Sequence, residues 1–238
     1  DIAVINYFEE NNLQLPYHEL KKIDEIPFDF SRRRLTVVME ADGHQLMITK
    51  GAVEEMEAVC SHVNINGEVI EITEDLRQQM RKVNRRLNEQ GMRVLTVATR
   101  KDAHSDAVYS VADEKEMTII GFMGFLDPAK KSAATAIHSL QGHGVNVKVL
   151  TGDNEIVAQK VCRDVGIDAQ HFLLGTDIDQ MSDEELASVT EEVNLFAKLH
   201  PMQKSRIIAA IQSKGHTVGF MGDGINDAPA LRMADVGI

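Results

Sequence analysis

"VNVKVLTGDNEIVAQKVCRDV", residues 145–165, carries three kinds of sequence in a fixed order. An apolar, valine-rich run (145–150) has the character of a β-strand. "TGDN" (151–154) is small and polar, as a tight loop requires. The remainder puts Val157, Val161 and Val165 on one helical face. Outward from this stretch the pattern repeats. A helix is expected over 131–141, stopping near Gly142 and Gly144. Further on come a strand in "LFAKL" (195–199), a helix with Ile207, Ile208 and Ile211, and a strand in "TVGFM" (217–221) that runs into "GDGIND" (222–227). Strands that alternate with helices imply a parallel sheet with crossover connections. Ligands of such sheets lie outside the carboxyl ends of the strands. "TGD" and "GDGIND" both fall at such ends.

The rhythm changes upstream of "LDPAKK" (126–131). "LTVVMEADGHQLMIT" (35–49) gives two β-rich runs around Asp42-Gly43, a hairpin signal. "EVIEI" (68–72) reads as a strand. Thr73 can cap a helix whose Leu76, Met80, Val83 and Leu87 share one face, with Gly91 as its stop. Arg77, Arg81, Lys82, Arg85 and Arg86 fall mostly off that face and read as solvated surface. "RVLTVA" (93–98) and "MTIIGF" (117–122) add strands, with 101–116 between them as an exposed polar loop. Strands joined by turns and one long helix describe an α+β unit, so the chain reads as two domains, 1–125 and 126–238.

The 238 residues are 43% hydrophobic, enough for real cores, and carry a formal net charge of −12. That balance argues against nucleic acid or an anionic membrane as partner. The longest apolar run, Met117 to Leu126, is too short to span a bilayer, and no signal peptide is evident. Cys60 and Cys162 lack metal or CxxC spacing and read as buried free thiols. The nine histidines show no ligand spacing.

The two loops have the chemistry of a phosphate site. Mg²⁺ takes hard oxygen donors, typically one or two carboxylates beside a substrate phosphate. Asp223, flanked by Gly222 and Gly224, meets that need. Asn226 can bond a phosphate oxygen, and Asp227 can hold the loop or a metal-bound water. Thr151 with the backbone amides of Gly152 and Asp153 forms a second anion seat ahead of a helix. Lys204, at the start of its helix, can offset charge on a transferring group. No aspartate has the setting of a nucleophile, which needs a buried strand leading into the same loop.

"TGDN", "HPMQK" (200–204) and "MGDGINDAPAL" (221–231), in that order, resemble the phosphorylation-domain signatures of P-type cation-transporting ATPases. "FDFSRRR" (28–34), "KGA" (50–52) and "GMRVL" (91–95) resemble their nucleotide-binding domain. The likeness covers nearly the whole chain, and "LTGDNEIVAQKVC" with "LFAKLHPMQK" is most similar to bacterial magnesium-importing members. The resemblance implies an α/β fold. Its parts are a haloacid-dehalogenase-like Rossmannoid parallel sheet and an α+β nucleotide-binding domain with an antiparallel sheet. It implies ATP and Mg²⁺ as cofactors. Phe30 would stack on adenine, while Arg32, Lys50 and Arg93 hold the polar end of the nucleotide and Asp1 aligns with an acidic residue of the adenine pocket. Thr151, Gly152 and Asp153 would meet the γ-phosphate, Lys198 and Lys204 neutralise it, and Asp223 bind catalytic Mg²⁺, with Asn226 and Asp227 completing the loop. Asp127 is the acidic member of the hinge "DPAK". The family usually has arginine at the positions of Lys130 and often Lys198, and lysine lacks arginine's bidentate fork.

The family's phosphate-accepting Asp lies in a DKTGT segment that these residues do not contain, and it is expected upstream of residue 1. The expected partners are therefore ATP and the rest of the same polypeptide: the acceptor segment, an actuator domain and membrane helices at the cytoplasmic face of the cell membrane. The transported cation would bind outside this segment. With the acceptor's central strand absent, the second half is expected to be loose in isolation while the first folds alone. The rival readings are a free-standing phosphatase of the dehalogenase-like fold, which needs a DxD nucleophile, and a non-catalytic nucleotide-binding module.

Overall fold

The computed structural model describes residues 2–13, 20–41, 43–102, 108–222 and 227–238. The chain divides into two compact units, Asp1–Met80 with Leu95–Met123, and Arg81–Val94 with Gly124–Ile238.

After α1 (Ile2–Glu10), the first unit is built on β1 (Lys21–Asp29), β2 (Arg34–Ala41) and β3 (His44–Ala52), joined as antiparallel neighbours. The β2–β3 hairpin is the expected one. Gly43 has φ +72°, and the alternating burial of β3 keeps Gln45, Met47 and Thr49 on the inner face. Asp42 lies outside the described residues. A short α2 (Val53–Glu57) leads to β4 (Cys60–Ile65), β5 (Glu68–Glu71), α3 (Glu74–Glu89), β6 (Met92–Asp102) and β7 (Met117–Leu126). The seven strands form one sheet in the order β1-β2-β3-β6-β7-β4-β5, antiparallel except for the parallel β4–β7 pair among those with assigned register.

Helix α3 begins as expected, with the Leu76 amide donating to the Thr73 hydroxyl at 3.3 Å. Met80 is buried, but the neighbours of Val83 and Leu87 differ from expectation. Asn84 and Asn88 are buried too, and bond to each other at 3.1 Å, which satisfies groups the apolar spacing did not single out. The core gathers Ile26, Val38, Met47, Met56, Cys60, Met80, Ala98, Met117 and Ile119.

The stretch 101–116 departs further from the exposed loop expected of it. β6 continues to Asp102, and Tyr109 and Glu114 are buried. A 3₁₀ turn over Val111–Asp113 is fixed by the Asp113 carboxylate, which accepts from the Ser110 amide at 2.8 Å and from the Ser110 hydroxyl at 2.9 Å.

In the second unit α4 (Lys131–Gly142), β8 (Val149–Leu150), α5 (Glu155–Val165), β9 (Phe172–Leu174), α6 (Gly175–Gln180), α7 (Asp183–Val189), β10 (Leu195–Ala197), α8 (Pro201–Ser213), β11 (Gly219–Phe220), α9 (Ala228–Met233) and β12 (Val236–Gly237) follow one another. β8, β10 and β9 form a parallel three-stranded sheet in that order, and β11 pairs with β12, also in parallel. Alternate residues of the central sheet face opposite layers. Leu150, Leu173 and Phe196 pack with α6, α7 and α8, while Val149, Phe172, Leu174, Leu195 and Ala197 pack with α4 and α5. Burial on both faces is why these strands read as continuous apolar runs. Full burial, as at Leu195 and Phe196, contributes about 1.5–3 kcal/mol for each such large side chain. The ladders are shorter than expected: Val145–Lys148 and Thr217–Val218 have strand composition, but among the described residues β8 meets a partner only across Val149 and Leu150, and β11 only across Gly219 and Phe220.

Both cysteines are free and buried, and desolvation pushes the Cys60 thiol up to about 12 and that of Cys162 up to about 11. They are unreactive fillers of the two cores.

Candidate functional site

In the first unit the turn from β1 to β2 is shaped by Pro27, which has no N–H to give to the ladder. The register slips there, so that Ile26 faces Thr36 and Asp29 faces Arg34, and the extra residue bulges out. The result is a pair of aromatic rings turned to solvent. Phe28 is 51% and Phe30 48% exposed, with ring centroids 5.2 Å apart at 87°, an edge-to-face contact. Large exposed rings held in a fixed relation are an available surface for a flat ligand.

The turn is stapled from inside by Asp29, whose carboxylate accepts from the Ser31 amide at 2.8 Å, the Arg32 amide at 3.1 Å and the Ser31 hydroxyl. The Ser31 hydroxyl bond, helped by the two amides, holds the Asp29 carboxyl below the usual range. Arg33 adopts φ +46°, and its amide donates to the Asp29 carbonyl at 2.7 Å. Arg32 points inward. Its guanidinium bonds both oxygens of Glu114 at 2.7 and 2.8 Å and the Pro27 carbonyl at 2.7 Å. Arg34 Nε and the Thr36 hydroxyl reach the same carboxylate at 2.7 and 2.8 Å, and Thr36 bonds Thr49 at 2.8 Å. Burial alone would raise the Glu114 carboxyl, but the bonds from Arg34, Arg32 and Thr36 outweigh it and hold it below its ordinary value.

"KGA" lies on β3, where Lys50 pairs with Leu35 and Val97 and so occupies the face opposite Thr49. Its glycine has a geometric reason. A Cβ on Gly51 would sit 2.6 Å from the Cβ of Arg34 and 2.9 Å from the Arg33 carbonyl oxygen. The β2 backbone crosses there too closely for any side chain.

In the second unit the ends of β8 and β10 are laced together. The Thr151 amide donates to the Phe196 carbonyl at 2.9 Å, Leu199 N to Thr151 O at 3.0 Å, and Lys198 N to Asp153 O at 2.9 Å. Lys198 takes φ +52° to do so. Asn154 caps α5, accepting from the Ile156 amide at 2.9 Å. The anion seat expected of Thr151, Gly152 and Asp153 needs one correction: the Asp153 amide is bonded to the Thr151 hydroxyl at 3.1 Å, a turn that serine and threonine commonly form. Side chains close the loop from outside. Arg93 meets Asp153 at 2.6 Å, and Lys198 meets Glu155 at 3.1 Å.

Lys204 lies in the first turns of α8, which starts on Pro201 and is capped by Gln203 accepting from the His200 amide at 3.0 Å. Its ammonium reaches Asp227 Oδ1 at 2.7 Å, with both side chains 14% exposed. Asp227 folds over Gly222, where a Cβ would come within 2.8 Å of its Cβ and Oδ2. That contact explains the first glycine of "GDGIND". Asp223 and Asn226 lie outside the described residues, as does Asp1. Among the described residues no three His, Cys, Asp or Glu side chains gather as a metal site.

Thr151, Asp153, Lys198 and Arg93 thus share one cluster, Lys204 and Asp227 another, and Phe30 with Arg32 a third. Glu114 and Glu155 are members that the sequence reading missed. The Ser110–Asp113 spacing, a capping box, was the signal that the segment before Glu114 is ordered.

Residues 1–132 match the family described as P-type ATPase, cytoplasmic domain N. The whole chain aligns with a magnesium-transporting ATPase, P-type 1, of Escherichia coli K12 at 46% identity, covering 27% of that protein. A Salmonella typhimurium LT2 protein of the same name is 52% identical over 100% of the chain and 27% of its own length. A calcium-transporting ATPase of Listeria monocytogenes is 31% identical over 100% of the chain and 28% of its own. The chain therefore spans about a quarter of the length of these relatives, and it belongs to the P-type ATPase family, whose cytoplasmic domain N it carries over residues 1–132.

Proposed function

We propose that this chain is the ATP-binding and phosphoryl-transfer segment of a cation pump that continues beyond it. Residues 1–125 bind the nucleotide, and 126–238 form part of a haloacid-dehalogenase-like phosphorylation domain. The observation that carries the reading is the Lys204–Asp227 pair closed over Gly222, at the start of α8 and beside the "GDGIND" loop.

On this reading Phe30 offers its face to adenine, and Lys50 and Arg93 hold the polar part of the nucleotide. Thr151, Gly152 and Lys198 meet the γ-phosphate, and Lys204 sets its charge against the transferring group. The carboxylate of Asp223, a hard oxygen donor, fits Mg²⁺, with Asp227 holding the loop or a metal-bound water and Asn226 bonding phosphate. Mg²⁺ bound there would offset negative charge on the phosphates. A carboxylate oxygen of an aspartate outside residues 1–238 attacks the γ-phosphorus, ADP leaves, and water later hydrolyses the acyl phosphate. β8 and β11 both lie at the edges of their small sheets, which supports a further strand carrying that aspartate. The names of the more similar relatives favour magnesium as the transported ion, moved through membrane helices elsewhere in the polypeptide. Among the described residues no helix is long and apolar enough to cross a membrane.

The test is turnover. The purified 238-residue chain is expected to bind ATP without hydrolysing it, and to leave p-nitrophenyl phosphate intact. Steady Mg²⁺-dependent hydrolysis that Asp223→Ala abolishes would make the chain a self-sufficient phosphatase and defeat the proposal.

A further inference from the structure

Glu114 lies far in sequence from every residue expected to meet a nucleotide, yet its side chain is wholly buried beneath the turn that carries Phe30. Four bonds converge on it: two from Arg32, one from Arg34 and one from Thr36. Arg32 is the link to the rings. It stands two residues after Phe30, and its other amino group holds the carbonyl of Pro27, the residue before Phe28. Both ends of the aromatic bulge are therefore tied to one carboxylate through one guanidinium. The chain at this turn needs such a tie. The ladder is broken between Ile26 and Asp29, and Arg33 sits in the left-handed region, so regular pairing does not fix the angle at which the rings stand.

We infer that Glu114 is a positioning residue for nucleotide binding: it sets the Phe28–Phe30 shelf through Arg32 without touching the ligand. The inference rests on the nucleotide reading of Phe30. It also reassigns Arg32 from ligand contact to brace. A neutral group in place of this carboxylate would keep one accepting oxygen, set a donor against the guanidinium groups of Arg32 and Arg34, and no longer hold the turn in one conformation.

The test is a double-mutant cycle read by calorimetric titration of the 238-residue chain with ATP. Glu114→Gln keeps the size and removes the charge. It is expected to weaken ATP binding about tenfold, and Phe30→Ala by at least as much. The double variant should bind no more weakly than Phe30→Ala alone, because the effect of Glu114 passes through that ring. Additive losses, or full affinity in Glu114→Gln, overturn the inference while leaving the nucleotide reading in place. If the unsubstituted chain takes up no ATP, both fall. Circular dichroism checks each fold. Should Glu114→Gln not fold, Thr36→Val carries the same cycle, with an expected loss of about threefold and the same non-additivity with Phe30→Ala.

Discussion

The turn carrying Phe30 and the loop carrying Asp153 are both held by arginine–carboxylate pairs, in different surroundings. Glu114 is fully buried and Arg32 only 15% exposed, whereas Arg93 is 53% and Asp153 29% exposed. A charge taken out of water must keep its partners, since losing one leaves the other uncompensated. A pair in contact with water loses little when it opens. The first arrangement presets a shape. The second leaves an arginine and a carboxylate free to exchange partners, which suits a loop proposed to receive a phosphate.

The sharpest way to break this contrast is to remove each carboxylate. Glu114→Ala is expected to cost about 3–5 kcal/mol of unfolding free energy. Acid should reveal the same group. The folded-state pKa of Glu114 lies below its ordinary 4.5, so its contribution is complete above that value and is lost as pH falls through the folded pKa. The stability gap between the unsubstituted chain and Glu114→Gln should therefore narrow on acidification below pH 4.5, as measured by urea unfolding. A gap independent of pH would show that folding leaves this carboxyl's pKa unchanged, and a gap that widens on acidification would show that it is neutral in the fold.

A smaller effect is expected at the crossing beside the same network. Gly51→Ala forces a methyl against the Arg34 Cβ and the Arg33 carbonyl, and overpacking of that kind costs about 1–3 kcal/mol. The β2 start should shift, giving changed amide shifts at Arg33 and Arg34. Least is expected of Asp153→Asn, where the pair is screened by water: under about 1 kcal/mol in the same urea experiment. A loss as large as that of Glu114→Ala would erase the distinction between the two sites.

The sequence shows some of this and hides the rest, for physical reasons. The β2–β3 hairpin, α3 and the "TGDN" loop are local: alternation, a threonine cap and an asparagine cap act over a few residues, so their pattern is visible in the chain. Glu114 acts over 78 to 82 residues, and a single acid in a polar stretch looks the same whether solvated or buried. Strand length is also non-local. Val145 to Lys148 have the right residues, but a ladder needs a partner, and β10 supplies one only for Val149 and Leu150. Gly51 of "KGA" and Gly222, the first glycine of "GDGIND", were legible as motif letters. Their cause, backbone and carboxylate crossing within 3 Å of the missing Cβ, belongs to the folded state.

The central claim is that the first unit presents a nucleotide cradle around the Phe28–Phe30 shelf. Backbone amide shifts of the isotopically labelled chain titrated with ATP test it most directly. The account predicts saturable shifts concentrated at residues 28–34 and 50–52, lost in Phe30→Ala. Shifts that avoid both stretches, or their persistence in Phe30→Ala, would contradict it.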